Sequence, residues 1–327
     1  MDIAQTAKRL VEGDRRTLAR AITLIESQRA DHQAQAKALL AALPRDRQAL
    51  RLGLSGTPGV GKSTFIESFG MMLVGLGLRV AVLAVDPSST RSGGSILGDK
   101  TRMDRLSRTP QAFIRPSPSQ SHLGGVARRS RAAVRLCEAA GFDVVLIETV
   151  GVGQSETVVA QMADLFVLLL APAGGDELQG VKRGIMEMAD LILVNKADGD
   201  LKPAATRTCA DYAGALRLLR KRPQDPDGYP LAMMISALAE QGLEAAWQAM
   251  QDLIAWRRNN GHWQRLRAEQ AQYWFKDDVR SALLQGLETP KVQAQLEALG
   301  QQVALAKLDP ETAAAQVLRA IRNQNPD

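Results

Sequence analysis

Aromatic side chains are scarce, 4% of 327 residues, so the chain offers few platforms on which the bases of a nucleic acid strand could stack. Charge of one sign is equally lacking. Lys and Arg number 41 against 35 Asp and Glu, and the net +6 is spread along the chain rather than gathered into a basic stripe. Specific nucleic-acid binding is therefore disfavoured. Cysteine is nearly absent: Cys137 and Cys209 are far apart and belong to no CxxC or Cys/His cluster. The three histidines, His32, His122 and His262, have no second ligand nearby in sequence and read as surface or packing residues. No apolar run reaches membrane-spanning length and no secretory leader follows Met1, so the expected setting is a reducing cytoplasm with no membrane partner.

The chain does contain enough apolar residues, 45%, to bury a full α/β core. Residues 1–45 read as short polar helices with Leu10, Leu18, Ile22, Leu39 and Leu40 near helical spacing, ended by Pro44. Strand and helix signals alternate from there to about 258. Leu52–Ser55, Val80–Val85, Val144–Ile147, Leu165–Leu170, Leu191–Val194 and Leu231–Ile235 are short apolar runs with few polar interruptions, the pattern of strands buried on both faces of a parallel sheet. A stretch without clear periodicity runs from the second of these to Pro118. Residues 259–327 carry no strand signal. Helical segments there are separated by Pro290 and Asp309-Pro310, and Tyr273-Trp274-Phe275 is a candidate partner surface. The expected fold is α/β: a mostly parallel sheet flanked by helices, with an N-terminal helical extension and a C-terminal helical arm.

The strongest local signal is Gly56-Thr57-Pro58-Gly59-Val60-Gly61-Lys62-Ser63, entered from an apolar strand and leaving through Thr64 into a helix. Glycines at these spacings let successive backbone amides turn toward phosphates. Lys62 sets a cation against the outer phosphates, and the Ser63 hydroxyl is placed to ligate Mg²⁺ at a helix N-terminus. The spacing points to a P-loop that binds a nucleoside triphosphate.

A second signal follows the strand Leu191–Val194: Asn195-Lys196-Ala197-Asp198. At that position a carboxylate accepts two hydrogen bonds from guanine, its ring NH and exocyclic amine, whereas adenine has no ring NH to offer. Ser236-Ala237-Leu238, after the next strand, is placed to supply a backbone NH to the guanine carbonyl oxygen. Candidate metal ligands beside Ser63 are Asp86 and Glu148, both at strand C-termini, and Asp99 in a polar loop.

Three further segments share one pattern with these: Val85-Asp86-Pro87-Ser88-Ser89, Gly94 through Met103, and Glu148-Thr149-Val150-Gly151-Val152-Gly153-Gln154-Ser155-Glu156. On all of them the chain resembles the methylmalonyl-CoA mutase-associated GTPases of the MeaB/ArgK type, within the metallochaperone-like class of P-loop GTPases. The resemblance implies a homodimer that binds an adenosylcobalamin-dependent acyl-CoA mutase, gates delivery of its cofactor and protects it at the expense of GTP. It also implies a first nucleotide-sensing switch over Asp86–Arg102, a second over Glu148–Glu156, and a third in Ala173–Gly184 that communicates with the mutase. Gln154 lies too far past Glu148 to be equated with the water-positioning glutamine of Ras-type proteins. The candidate catalytic cations are Lys62 and Lys182, with Arg183 beside the latter. No histidine fits the Asp-x-His-x-x-Gly arrangement of a protein that carries cobalamin itself. Two rivals stay open: a kinase of the ArgK, basic amino-acid transport label, and a nickel or cobalt insertion GTPase.

Overall fold

The computed structural model of the chain describes residues 2–85, 103–116, 123–149, 155–172, 183–219, 221–287 and 289–322. These divide into two compact units, residues 1–270 and 271–327.

The first unit opens with three helices, α1 (Ile3–Val11), α2 (Arg15–Glu26) and α3 (Ala30–Ala42). Each starts where a short side chain or an extended backbone permits it. Asp2 and Asp14 accept from amides of the first turns of α1 and α2, as N-caps do. Leu18, Ala21 and Ile22 of α2 fall on one buried face at i, i+3 and i+4 spacing.

Seven strands follow: β1 (Leu50–Ser55), β2 (Val80–Val85), β3 (Ala112–Arg115), β4 (Val144–Thr149), β5 (Leu165–Leu170), β6 (Leu191–Val194) and β7 (Leu231–Met234). They form one sheet in the order β3-β2-β4-β1-β5-β6-β7, with every pairing parallel. Between them run α4 (Lys62–Gly75), α5 (Asp104–Arg108), α6 (Leu123–Ala139), α7 (Ser155–Ala160), α8 (Arg183–Met188) and α9 (Lys202–Arg217), and α10 (Leu243–Asn259) follows β7. The N-terminal helices lie against this layer, α2 making most of its contact with α6.

Three local readings differ from the sequence. The stretch leading to Pro118 contains α5 and the edge strand β3, too short at four residues for its period to stand out. Glu148 lies inside β4, which runs on to Thr149 because pairing with Val85 continues that far. And β7 is an edge strand with Met234 37% exposed, whereas β4, β5 and β6 are buried throughout.

The core under β1 is filled from α4 and α10. Phe65 and Phe69 stack with ring centroids 4.9 Å apart, and Trp247 meets Phe69 edge-on at 6.0 Å. At the N-terminal ends of the strands, buried charges are paired rather than excluded. Asp164 accepts from the Arg51 amide at 2.8 Å and from Arg267 at 2.6 Å, while Arg51 pairs with Glu138. Arg257 bonds Asp190 at 2.6 Å and Asp225 at 2.7 Å. Burial alone would lower the Arg257 pKa, but those two carboxylates hold it above its ordinary value.

A helix α11 (His262–Leu287) begins in the first unit. In the second unit α12 (Pro290–Ala304) packs on α13 (Pro310–Arg322), with Val292, Ala313 and Val317 buried. Asp309 caps α13 through the Thr312 amide at 2.9 Å. Tyr273 and Phe275 stay exposed.

Candidate nucleotide site

The C-terminal ends of β1, β5, β6 and β7 form one edge, and every nucleotide-binding residue expected from the sequence gathers there. In parallel α/β sheets this edge is where ligands bind, because crossover helices start there with their amides pointing outward. The loop from Gly56 to Gly61 leaves β1 and turns into α4. Its glycines are required by geometry at two points. A Cβ on Gly56 would come within 2.4 Å of the Leu169 carbonyl oxygen, and Gly61, at φ +91°, would direct one to 2.7 Å from Asn195 Nδ2. Val60 is 3% exposed, so its side chain anchors the loop in the core while Thr57, Pro58 and Gly59 face solvent.

Strand pairing carries the residues expected to read the base to this loop in steps. Asn195 N donates to Leu170 O at 2.8 Å, Ile235 N to Val194 O at 2.8 Å, and Ala197 N to Ile235 O at 3.0 Å. Asn195 is buried, and both ends of its amide bond the frame. Its Nδ2 donates to Val60 O and its Oδ1 accepts from Ala237 N, both at 2.9 Å. Asn195 therefore ties the phosphate loop to the Ser-Ala-Leu turn. The Asp198 carboxylate is half-buried and accepts from Ser236 Oγ at 2.6 Å, which fixes its orientation. Ser68 on α4 holds the other side of the turn, donating to Ala237 O at 2.7 Å. Leu238 is 80% exposed beside it.

Two ammonium groups reach over the loop. Lys62 Nζ donates to Gly56 O at 2.6 Å, and Lys196 Nζ to Gly59 O at 2.7 Å. Lys196 holds a left-handed backbone, φ +59°, which directs its stem back along the loop. Ser63 and Thr64 occupy the first turn of α4. Glu148, 6% exposed, lies in register with Leu54 of β1 and Ala84 of β2, close to the root of the phosphate loop. Thr149 reaches Ser55 at 3.3 Å.

For a divalent cation the donor set near the loop is a hydroxyl and a carboxylate, hard oxygen ligands that suit Mg²⁺ completed by phosphates and water. Among the described residues no group of three or more His, Cys, Asp or Glu could hold a metal by itself. Asp86, Asp99, Gln154 and Lys182 lie outside the described residues. Cys137 and Cys209 are free thiols, and burial pushes both above their usual pKa.

Sequence reasoning missed three residues of this frame: Ser68, Glu67 and Arg105. Glu67 is 8% exposed on α4 and accepts from the Arg105 amide at 2.7 Å and the Leu106 amide at 3.2 Å. Arg105 also reaches Glu240 at 2.6 Å, and this contact raises its pKa. A carboxylate embedded in the apolar run Phe65, Ile66, Phe69 was the available signal, since a buried charge needs a partner.

Comparison with known proteins shows the family. The family model for methylmalonyl-CoA mutase-associated GTPase MeaB matches residues 18–292. A putative GTPase of Caulobacter vibrioides is 53% identical over 323 residues, 98% of each chain. The mitochondrial methylmalonic aciduria type A homolog of Mus musculus is 46% identical, over 97% of this chain and 79% of its own. A crystal structure described as an LAO/AO transport system kinase is 39% identical with a TM-score of 0.74, covering 98% of this chain and 97% of its own. No helix among the described residues is long and apolar enough to cross a membrane. With its glycine-rich loop and the turn after β7 on one sheet edge, the chain belongs to the MeaB family of methylmalonyl-CoA mutase-associated GTPases, on a P-loop NTPase fold.

Proposed function

We propose that this chain binds GTP with Mg²⁺, hydrolyses it, and uses the cycle to assist assembly, cofactor loading and protection of an adenosylcobalamin-dependent acyl-CoA mutase. It acts as a cytoplasmic homodimer through its C-terminal arm, residues 259–327. The observation that carries the nucleotide half is the Asp198 carboxylate, aimed by Ser236 at 2.6 Å in a turn that Asn195 bonds to the phosphate loop. Guanine satisfies that carboxylate with two donors, and adenine leaves it unpaired. The mutase half is supported by the family to which the chain belongs.

Phosphoryl transfer needs alignment and charge stabilisation more than covalent chemistry. Amides of Gly59 to Ser63 hold the phosphates, Lys62 neutralises charge at the outer ones, and Ser63 with Glu148, Asp86 and Asp99 are the residues that would hold Mg²⁺ and its waters. Bound there, the cation neutralises charge developing on the phosphate oxygens. Lys182 adds a cation at the outer phosphates in the complex with the partner, so hydrolysis by the chain alone is slow and hydrolysis in complex faster.

Calorimetry with GTP, ATP and XTP tests the first half. Wild type prefers GTP, and Asp198→Asn shifts preference toward XTP, which carries a carbonyl where guanine has its amine. Preference for ATP overturns the reading and favours a kinase, the description carried by the 39% identical crystal structure. GTP turnover with and without the mutase, for wild type and Lys182→Ala, tests the second; equal stimulation of both removes Lys182 from the mechanism.

A further inference from the structure

The five-residue helix α5 opens without a capping side chain of its own: Met103, at its N-cap position, supplies none. Glu67 takes that place from α4, its buried carboxylate accepting the Arg105 and Leu106 amides. Leu106 is fully buried against Gly70, where an added Cβ would sit 2.7 Å from Leu106 Cδ2. The backbone of Arg105 is thus fixed to the helix that begins at the phosphate loop. Its side chain goes elsewhere. The guanidinium crosses to Glu240, which closes the base-reading turn and holds a left-handed φ of +54° that a non-glycine residue adopts at a cost. That turn is also held by the Ser236–Gln241 bridge, by Ser68 and Asn195 on Ala237, and by the Ala239 amide on Ser236 Oγ, none of which engages the Glu240 side chain. Between α4 and the turn lies a half-open cleft of about 230 Å³, lined by Met71, Met72 and Leu243 together with Arg105 and Glu240. The ion pair spans this cleft where side-chain packing does not fill it.

We propose that Arg105 is a positioning residue for nucleotide retention: held by Glu67 on the phosphate-loop helix, it grips Glu240 and keeps the turn Ser236–Gln241 closed on the base. This rests on the guanine-nucleotide reading above. Both partners are about half exposed, so the strut is a modest one that sets a rate rather than holding up the fold.

Release of fluorescently labelled GDP from the full chain, measured by stopped flow, tests it. Arg105→Ala and Glu240→Ala each speed release about two- to fivefold, the range expected of an exposed ion pair. The double alanine variant is no faster than either single one, and the charge-exchanged pair Arg105→Glu with Glu240→Arg restores the slow rate. Affinity for tripolyphosphate, which has no base, is the same in all of them. Release at the wild-type rate in both single variants overturns the inference, as does an equal weakening of tripolyphosphate. Failure of wild type to retain GDP at all overturns the guanine reading and this inference with it.

Discussion

Asn195 Nδ2 donates to the carbonyl of Val60 at 2.9 Å, so a residue at the end of β6 fixes the phosphate loop that leaves β1. The same side chain accepts from Ala237, so one of its N–H donors and one lone pair of its oxygen are spent on this frame. It joins the loop after β1 to the turn after β7. Asn195→Ala strips the Val60 carbonyl and the Ala237 amide of a buried partner, at about 1–3 kcal/mol. Denaturant unfolding is expected to show that loss, and GTP affinity to fall about tenfold or more, each 1.4 kcal/mol being a factor of ten.

Glycines near one helix behave oppositely. Gly61→Ala forces a Cβ into Asn195 at φ +91°, costing about 1–3 kcal/mol and disordering the amides that meet phosphate. Gly75, the last residue of α4, has nothing within 4 Å of such a Cβ, so Gly75→Ala stabilises by about 0.5 kcal/mol. Thermal melting of the two variants checks both signs, and tripolyphosphate binding should be lost in the first alone.

Arg257 holds Asp190 and Asp225 with all three side chains under a tenth exposed. Arg257→Met leaves Asp190 and Asp225 with Arg222 as their remaining cation, so the loss by denaturant unfolding reaches at most about 3–5 kcal/mol, that of a buried charge left unpaired. Lys221→Ala, which breaks a pair exposed at both ends, is expected to leave the unfolding midpoint unchanged.

The Asp14 carboxylate accepts from the Thr17 amide first, then from Arg9, and these bonds lower its pKa from 3.8 to about 2. A depressed carboxylate stabilises the fold above its unfolded pKa, and that contribution fades as pH falls from about 3.8 through about 2. Asp14→Asn keeps an acceptor but not the charge. The gap in thermal stability between wild type and this variant should therefore be present at pH 5 and shrink across that window, as followed by circular dichroism; a constant gap would contradict the assignment.

Runs such as Leu191–Val194 and Leu165–Leu170 announced buried parallel strands, because a strand covered on both faces has no polar side to show. The four residues of β3 did not, since an edge strand of that length has no period distinguishable from a loop. Gly61, Lys62, Asn195 and Asp198 could be singled out because phosphate and guanine chemistry favour those residue types at those local spacings, and the fold brings them to one sheet edge. Ser68 and Arg105 could not, since a Ser or Arg within a helix has many ordinary reasons to be there, and Glu67 showed only that a buried charge needs a partner without naming which.

The linear chain by itself determined what short-range chemistry can specify: a loop of amides before a helix, a carboxylate after a strand, an apolar pattern for a parallel sheet. Only the tertiary structure decided which residues hold those pieces together. The order β3-β2-β4-β1-β5-β6-β7 places Asn195 against Val60, 135 positions away, and Glu240 against Arg105, also 135 away. Contacts at such separations depend on how strands stack side by side, which local sequence does not encode, because each strand's pattern states that it is buried without stating beside which neighbour.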